Sequence, residues 1–162
     1  AIRRLVEHTT TADAPGYLAE LDSRNVREEG FRPRSPWDAE LLGREVATLN
    51  VRESALGGVH VALRRTAEFR EVELASGHVP ALVTAEMFVD DDGEPPAAVA
   101  VSLNGRVEAI AVPYAQSAGS NWVRAMLPES SLVEGENRLE LFGILETGEG
   151  TVLVPIAGGV AP

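Results

Sequence analysis

From Trp37 onward, apolar residues fall at every second position in short runs cut by turn-forming residues. Val59, Val61 and Leu63 alternate with His60, Ala62 and Arg64, so one face is apolar and the other mostly polar. The same period in Arg70-Glu71-Val72-Glu73-Leu74 turns Val72 and Leu74 toward a core, and it leaves His60 of the earlier run facing solvent. Nine strands are predicted: Val46–Val51, Val59–Arg65, Phe69–Leu74, Ala81–Val89, Ala97–Leu103, Val107–Val112, Trp122–Met126, Arg138–Leu145 and Thr151–Ile156. No long helical period intervenes, so the fold class expected is mainly β, an antiparallel β-sandwich.

Asn104-Gly105 is the sharpest turn signal, because both residues tolerate positive φ, and it predicts a hairpin between the strands on either side. A strict two-residue loop sets Val101 beside Glu108, whereas one bulged residue sets Val101 beside Val107 and Val99 beside Ala109. The bulged turn is expected, since a slip of one residue exchanges the two faces. A second turn, Glu134-Gly135-Glu136-Asn137, releases Arg138–Leu145, whose later half is apolar on both faces; that strand is expected to be central.

Residues 1–36 read differently: polar, broken by Gly30, Pro33 and Pro36, and suited to a leader or linker. Asp13 can cap one short helix with Pro15 in its first turn and Tyr17, Leu18 and Leu21 along one face. The division expected is therefore a leader over 1–36 and a β-sandwich over 37–162. The chain opens on Ala1-Ile2-Arg3-Arg4 without Met, which reads as a segment of a longer protein.

Charge and composition remove several function classes. A net charge of −11 disfavours nucleic acid and anionic lipid, which need clustered cations. The absence of cysteine excludes disulfides, thiolate nucleophiles and Cys-based zinc sites. No stretch approaches the roughly 18 apolar residues needed to cross a bilayer, so no direct membrane binding is expected of this chain.

Candidate chemistry is sparse. No Gly-x-Ser-x-Gly elbow is present, and His8, His60 and His78 sit respectively in the leader, on a solvent face and at a strand start, so no catalytic residue is assigned. Asp90, Asp91 and Asp92 lie in a carboxylate-dense stretch that interests a hard cation such as structural calcium. The spacing is not that of an EF-hand loop and Pro95-Pro96 follows at once, so a solvated hairpin loop is the competing reading. Ligand-binding candidates are Trp37 and Tyr114, with Gln116 and Asn121 in the loop Gln116–Asn121 beside Tyr114. Trp122 begins a strand and is expected in the core.

The stretch from Ala97 to Phe142 resembles galactose-binding-like jelly rolls: a strand ending in Leu103-Asn104-Gly105, then Trp122, then Gly135-Glu136-Asn137-Arg138 entering an apolar strand. A narrower resemblance is to the C-terminal domain of actinobacterial, membrane-anchored, sulfatase-like hydrolases of the alkaline phosphatase superfamily. It rests on Glu40-Leu41-Leu42-Gly43-Arg44-Glu45-Val46, on Pro80-Ala81-Leu82-Val83-Thr84, and on Val101-Ser102-Leu103-Asn104-Gly105-Arg106-Val107 followed by Met126-Leu127-Pro128-Glu129-Ser130. The resemblance implies an extracytoplasmic accessory domain without catalytic residues, whose partner is the catalytic domain of the same parent chain. A carbohydrate-binding module with a glycan partner is the alternative.

Overall fold

The computed structural model describes residues 35–91, 93–117 and 120–161, leaving the predicted leader helix at Asp13–Leu21 outside the described residues. The chain divides after Ser35, and Pro36–Pro162 is one compact unit. That unit is mainly β, with eight strands: β1 (Val59–Leu63), β2 (Leu82–Val89), β3 (Ala98–Leu103), β4 (Arg106–Ala111), β5 (Tyr114–Ser117), β6 (Ser120–Met126), β7 (Leu139–Thr147) and β8 (Gly150–Ala161). They form one sheet in the order β4-β3-β7-β8-β1-β2-β6-β5, antiparallel throughout except where β1 runs parallel to β8 at His60 and Ala157.

The sheet curls because β8 serves both of its halves. The first part of β8 pairs with β7, from Gly150 opposite Thr147 to Pro155 opposite Phe142, and the register then breaks before Glu140 opposite Val160. At the break Gly158 has φ +75°, and a Cβ there would overlap the Val61 carbonyl oxygen, so only glycine lets β8 approach β1 this closely. Inside the curl, Val59, Val61, Val83, Ala85, Met87 and Val123 of one half share a buried core with Val99, Val101, Leu103, Leu139 and Leu141 of the other. Cα atoms of β4 and β6 come within 8 Å across this core.

The alternation at β1 and β2 reads true, with Val59 and Val61 buried and His60 exposed. Two predicted strands are replaced by irregular structure. Val46–Val51 holds a single 3-10 turn (Val46–Thr48), and Phe69–Leu74 has a 3-10 turn on either side of Val72. In the second of these segments Phe69 and Val72 are the buried pair, a three-residue spacing, while Leu74 is 44% exposed rather than inward. Conversely, Tyr114–Ser117, outside every predicted strand, is the edge strand β5, and the ends of the predicted loop Gln116–Asn121 belong to the paired strands β5 and β6.

The Asn104-Gly105 hairpin forms, but with a different register from the one expected. Its loop has two residues, Leu103 faces Arg106 and Ser102 faces Val107. The bulge lies later, at Glu108, so Val101 pairs with Ala109 and Val99 with Ala111. It sends Val107 to the outer face of the sheet and Ala109 and Ala111 to the inner one, which buries all three and leaves Ile110 partly buried on the outer face.

The two turns behind the jelly-roll resemblance meet in space. Asn137 is fully buried; its amide nitrogen donates to the carbonyls of Val133 (2.8 Å) and Gly135 (3.1 Å). Its Oδ1 accepts from Val133 N–H and from Asn104 Nδ2, both at 2.9 Å. Asn104 Oδ1 accepts in turn from the Arg138 backbone N–H at 2.9 Å. Asparagine supplies two donors and one acceptor here, and neither Asp nor Gln reproduces that set in the same space.

The outer face of the β4–β3–β7–β8 half is covered by the chain between Trp37 and Leu56. One helical turn, Asp38–Leu41, buries Leu41, and Leu42, Val46, Leu49 and Val51 pack with it over Ala98, Ala100, Val107, Phe142, Ile144 and Leu153. Backbone hydrogen bonds pin this cover along two strands: Gly43 N–H to Val107 C=O and Val46 N–H to Gly105 C=O at β4, Arg52 N–H to Leu153 C=O and Leu56 N–H to Pro155 C=O at β8. β3 is consequently buried at all six positions, and its outward residues Ala98, Ala100 and Ser102 are small enough to admit the cover. β7 lies in the same covered half, inside the sheet between β3 and β8, as its two apolar faces predicted.

Candidate ligand-binding face

The opposite half of the sheet offers a different outer surface. Register places His60 and Ala62 of β1 beside Phe88 and Glu86 of β2, and Glu86, Thr84 and Leu82 beside Trp122, Arg124 and Met126 of β6; Arg64, just past the end of β1, donates its backbone N–H to the Thr84 carbonyl. β5 adds Tyr114 directly opposite Trp122. Because side chains alternate along each strand, these residues all project away from the core that buries Val61, Val83, Ala85, Val123 and Ala125.

Rings and ions share this face. His60 and Phe88 stack with centroids 5.1 Å apart and planes 16° from parallel. Arg64 pairs with Glu86, which cancels both charges at the centre of the face. The Arg124 guanidinium carbon lies 5.9 Å from the centre of the Tyr114 ring and 5.8 Å from that of Trp122. Both distances lie within cation–π range. No carboxylate among the described residues forms an ion pair with Arg124, while Arg64, Arg65, Arg106 and Arg138 each have one. Leu82 and Met126, cross-strand partners at one end of the face, are 49% and 62% exposed.

The candidates chosen from sequence are not gathered in one place. Tyr114 is 39% exposed on the outer face, whereas Asn121, one position before Trp122, alternates to the inner side opposite Met87 and Ala115. Gln116 lies in β5. Trp37 belongs to the covered half, where it packs against the buried cluster under the cover and its Nε1–H donates to Glu146. Asp90 and Asp91 are exposed at the end of β2, Asp92 lies outside the described residues, and no group of three potential metal ligands occurs among the described residues. Trp122, expected in the core, is half-buried on the outer face.

Arg124, Glu86 and Thr84 escaped the sequence reading. The signal was present in Trp122-Val123-Arg124-Ala125-Met126, whose period of two puts Trp, Arg and Met on the face opposite Val and Ala. What no single strand reveals is that Tyr114 arrives beside them, because that depends on the β5–β6 pairing.

A separate surface cleft of about 270 Å³ is lined by Glu68, Glu71, Val72, Glu73, Ser76, His78 and Pro80. In its wall Ser76 Oγ lies 2.7 Å from the Glu73 carbonyl oxygen and 2.9 Å from that of His78, so the hydroxyl serves the local backbone turn. Comparison with family models, with characterised proteins and with solved structures returns no match for this chain.

Proposed function

We propose that residues 37–162 form a galactose-binding-like jelly-roll domain, an accessory and non-catalytic part of a membrane-anchored, sulfatase-like hydrolase outside the cytoplasm. The curled sheet with its core between two facing halves and the meeting of the Asn104 and Asn137 turns support the jelly-roll reading. The observation that carries the accessory role is the outer face of β1, β2, β6 and β5, over which no apolar cluster of the described residues packs and which sets Trp, Tyr, Arg and Met side chains together. Those residue types are enriched where proteins dock, and their partner is the catalytic domain of the same parent chain. Sequencing the gene upstream of Ala1 tests the parent: a metal-binding hydrolase domain is expected, and an open reading frame that starts without one contradicts it.

One observation favours a second reading, recognition of a glycan. Tyr114 and Trp122 stand side by side in register with the polar groups of Thr84 and Glu86 on neighbouring positions, which is the mixture of apolar ring and hydrogen-bonding group that a sugar ring requires. A titration of the chain with soluble disaccharides, followed through tryptophan emission, tests it. Saturable change is expected, and none at millimolar sugar contradicts it.

A further inference from the structure

We infer that the Tyr114–Trp122–Arg124 cluster takes a saccharide bearing a single carboxylate, an acidic sugar of the uronic acid type. The inference rests on the glycan reading above and names its ligand class.

Three observations lead there. The first is the cation. Arg124 is exposed, its guanidinium carbon lies within 6 Å of the centres of both rings, and no carboxylate of the described residues forms an ion pair with it. A guanidinium beside rings rather than acids keeps its planar fork of N–H donors for another acceptor, and that fork matches a carboxylate with two parallel hydrogen bonds. Glu86, the nearest acid on the cross-strand row, is held by Arg64.

The second is the surface around the cation. Tyr114 opposite Trp122 gives a broad apolar width at the sheet edge against which the C–H groups of a pyranose can pack. Thr84, the cross-strand neighbour of Arg124 in the β2–β6 ladder, adds a hydroxyl to the same face for a sugar hydroxyl.

The third is the charge of the chain as a whole. At −11 it repels a polyanion, and among the described residues of the face only Arg124 is an arginine without an acidic partner. One carboxylate matches that single positive site; a highly sulfated or phosphorylated chain does not.

Cellobiouronic acid and cellobiose make a direct probe, since they differ in one carboxylate. In a two-dimensional NMR titration of the 162-residue chain, cellobiouronic acid is expected to shift the Trp122 indole and the Arg124 and Thr84 amides, and to bind about tenfold tighter than cellobiose because its carboxylate makes charge-assisted hydrogen bonds. Arg124→Gln, on the exposed side of β6, is expected to remove that preference while the amide spectrum stays that of a folded chain and cellobiose binding persists. Tyr114→Ala is expected to weaken both sugars. Equal binding of the two sugars to the unaltered chain overturns the inference and leaves the glycan reading in place. No shift with either sugar, or shifts confined to residues of the covered half, overturns both. Tighter binding of a short peptide through its C-terminal carboxylate than of cellobiouronic acid also overturns the inference and points to a protein ligand.

Discussion

The two outer faces of this sheet meet different fates although both belong to one continuous ladder. Over β4, β3, β7 and β8 the outer residues are Ala98, Ala100, Val107, Phe142, Ile144 and Leu153, and a length of chain lies across them. Over β1, β2, β6 and β5 they are Arg64, Thr84, Glu86, Phe88, Trp122, Arg124 and Tyr114, with no apolar cluster of the described residues above them. A half that is buried on both sides contributes stability, whereas a half that is buried on one side leaves rings and charged groups at least partly exposed. The small residues of β3 and the large mixed ones of β6 are the sequence marks of that division.

The sharpest way to break the comparison is to truncate matched apolar residues on the two faces. Phe142→Ala, beneath the cover at 5% exposure, is expected to lower the unfolding free energy by about 4 kcal/mol in urea denaturation. Met126→Ala, at 62% exposure on the bare face, is expected to change it by less than about 0.5 kcal/mol. Similar losses at both positions contradict the distinction.

Leu41→Ala attacks the cover rather than the sheet. Its side chain is 2% exposed, and about 3 kcal/mol is expected to be lost, together with faster hydrogen exchange at the Gly43, Val46 and Arg52 amides that pin the segment. Unchanged exchange at those amides indicates that the segment holds its place without Leu41.

A change of opposite sign is expected at Ser102. Its hydroxyl is buried under the cover with no hydrogen-bond partner among the described residues, at 0% exposure, so Ser102→Ala is expected to gain about 1 kcal/mol. A loss of that size shows that the hydroxyl has a partner. A loss of no more than about 1 kcal/mol is expected from Arg124→Gln, which gives up two exposed cation–π contacts worth about 0.5 kcal/mol each and lowers the thermal midpoint by no more than about 4 °C.

The sequence made the strands legible where alternation was strict, as in Val59–Leu63 and Ala98–Leu103, because burial on one or both faces leaves a direct mark on residue type. It misled where apolar residues belong to the cover. Val46, Leu49 and Val51 are as strand-like as any run in the chain, yet they contact β3 and β7 from above and join the ladder only through isolated bridges at Glu45 and Val51. The Phe69–Leu74 segment misled for a related reason: Val72 bridges to Gly135 alone, so two buried residues three apart imitate half a strand. The bulge at Glu108 was required by the face pattern, but its position was fixed by the cover's demand for Val107, which no local rule contains. For the same reason the site was only half legible. Tyr114 was visible as an aromatic near a turn, while its grouping with Trp122 and Arg124 depends on a pairing of strands that composition does not encode.

Solvent accessibility of methyl groups tests the division of the two faces most directly. With a soluble gadolinium chelate added to the methyl-labelled chain, strong line broadening is expected at Leu82 and Met126 and almost none at Ile144 and Leu153. Equal broadening of both sets would contradict a covered and an open face.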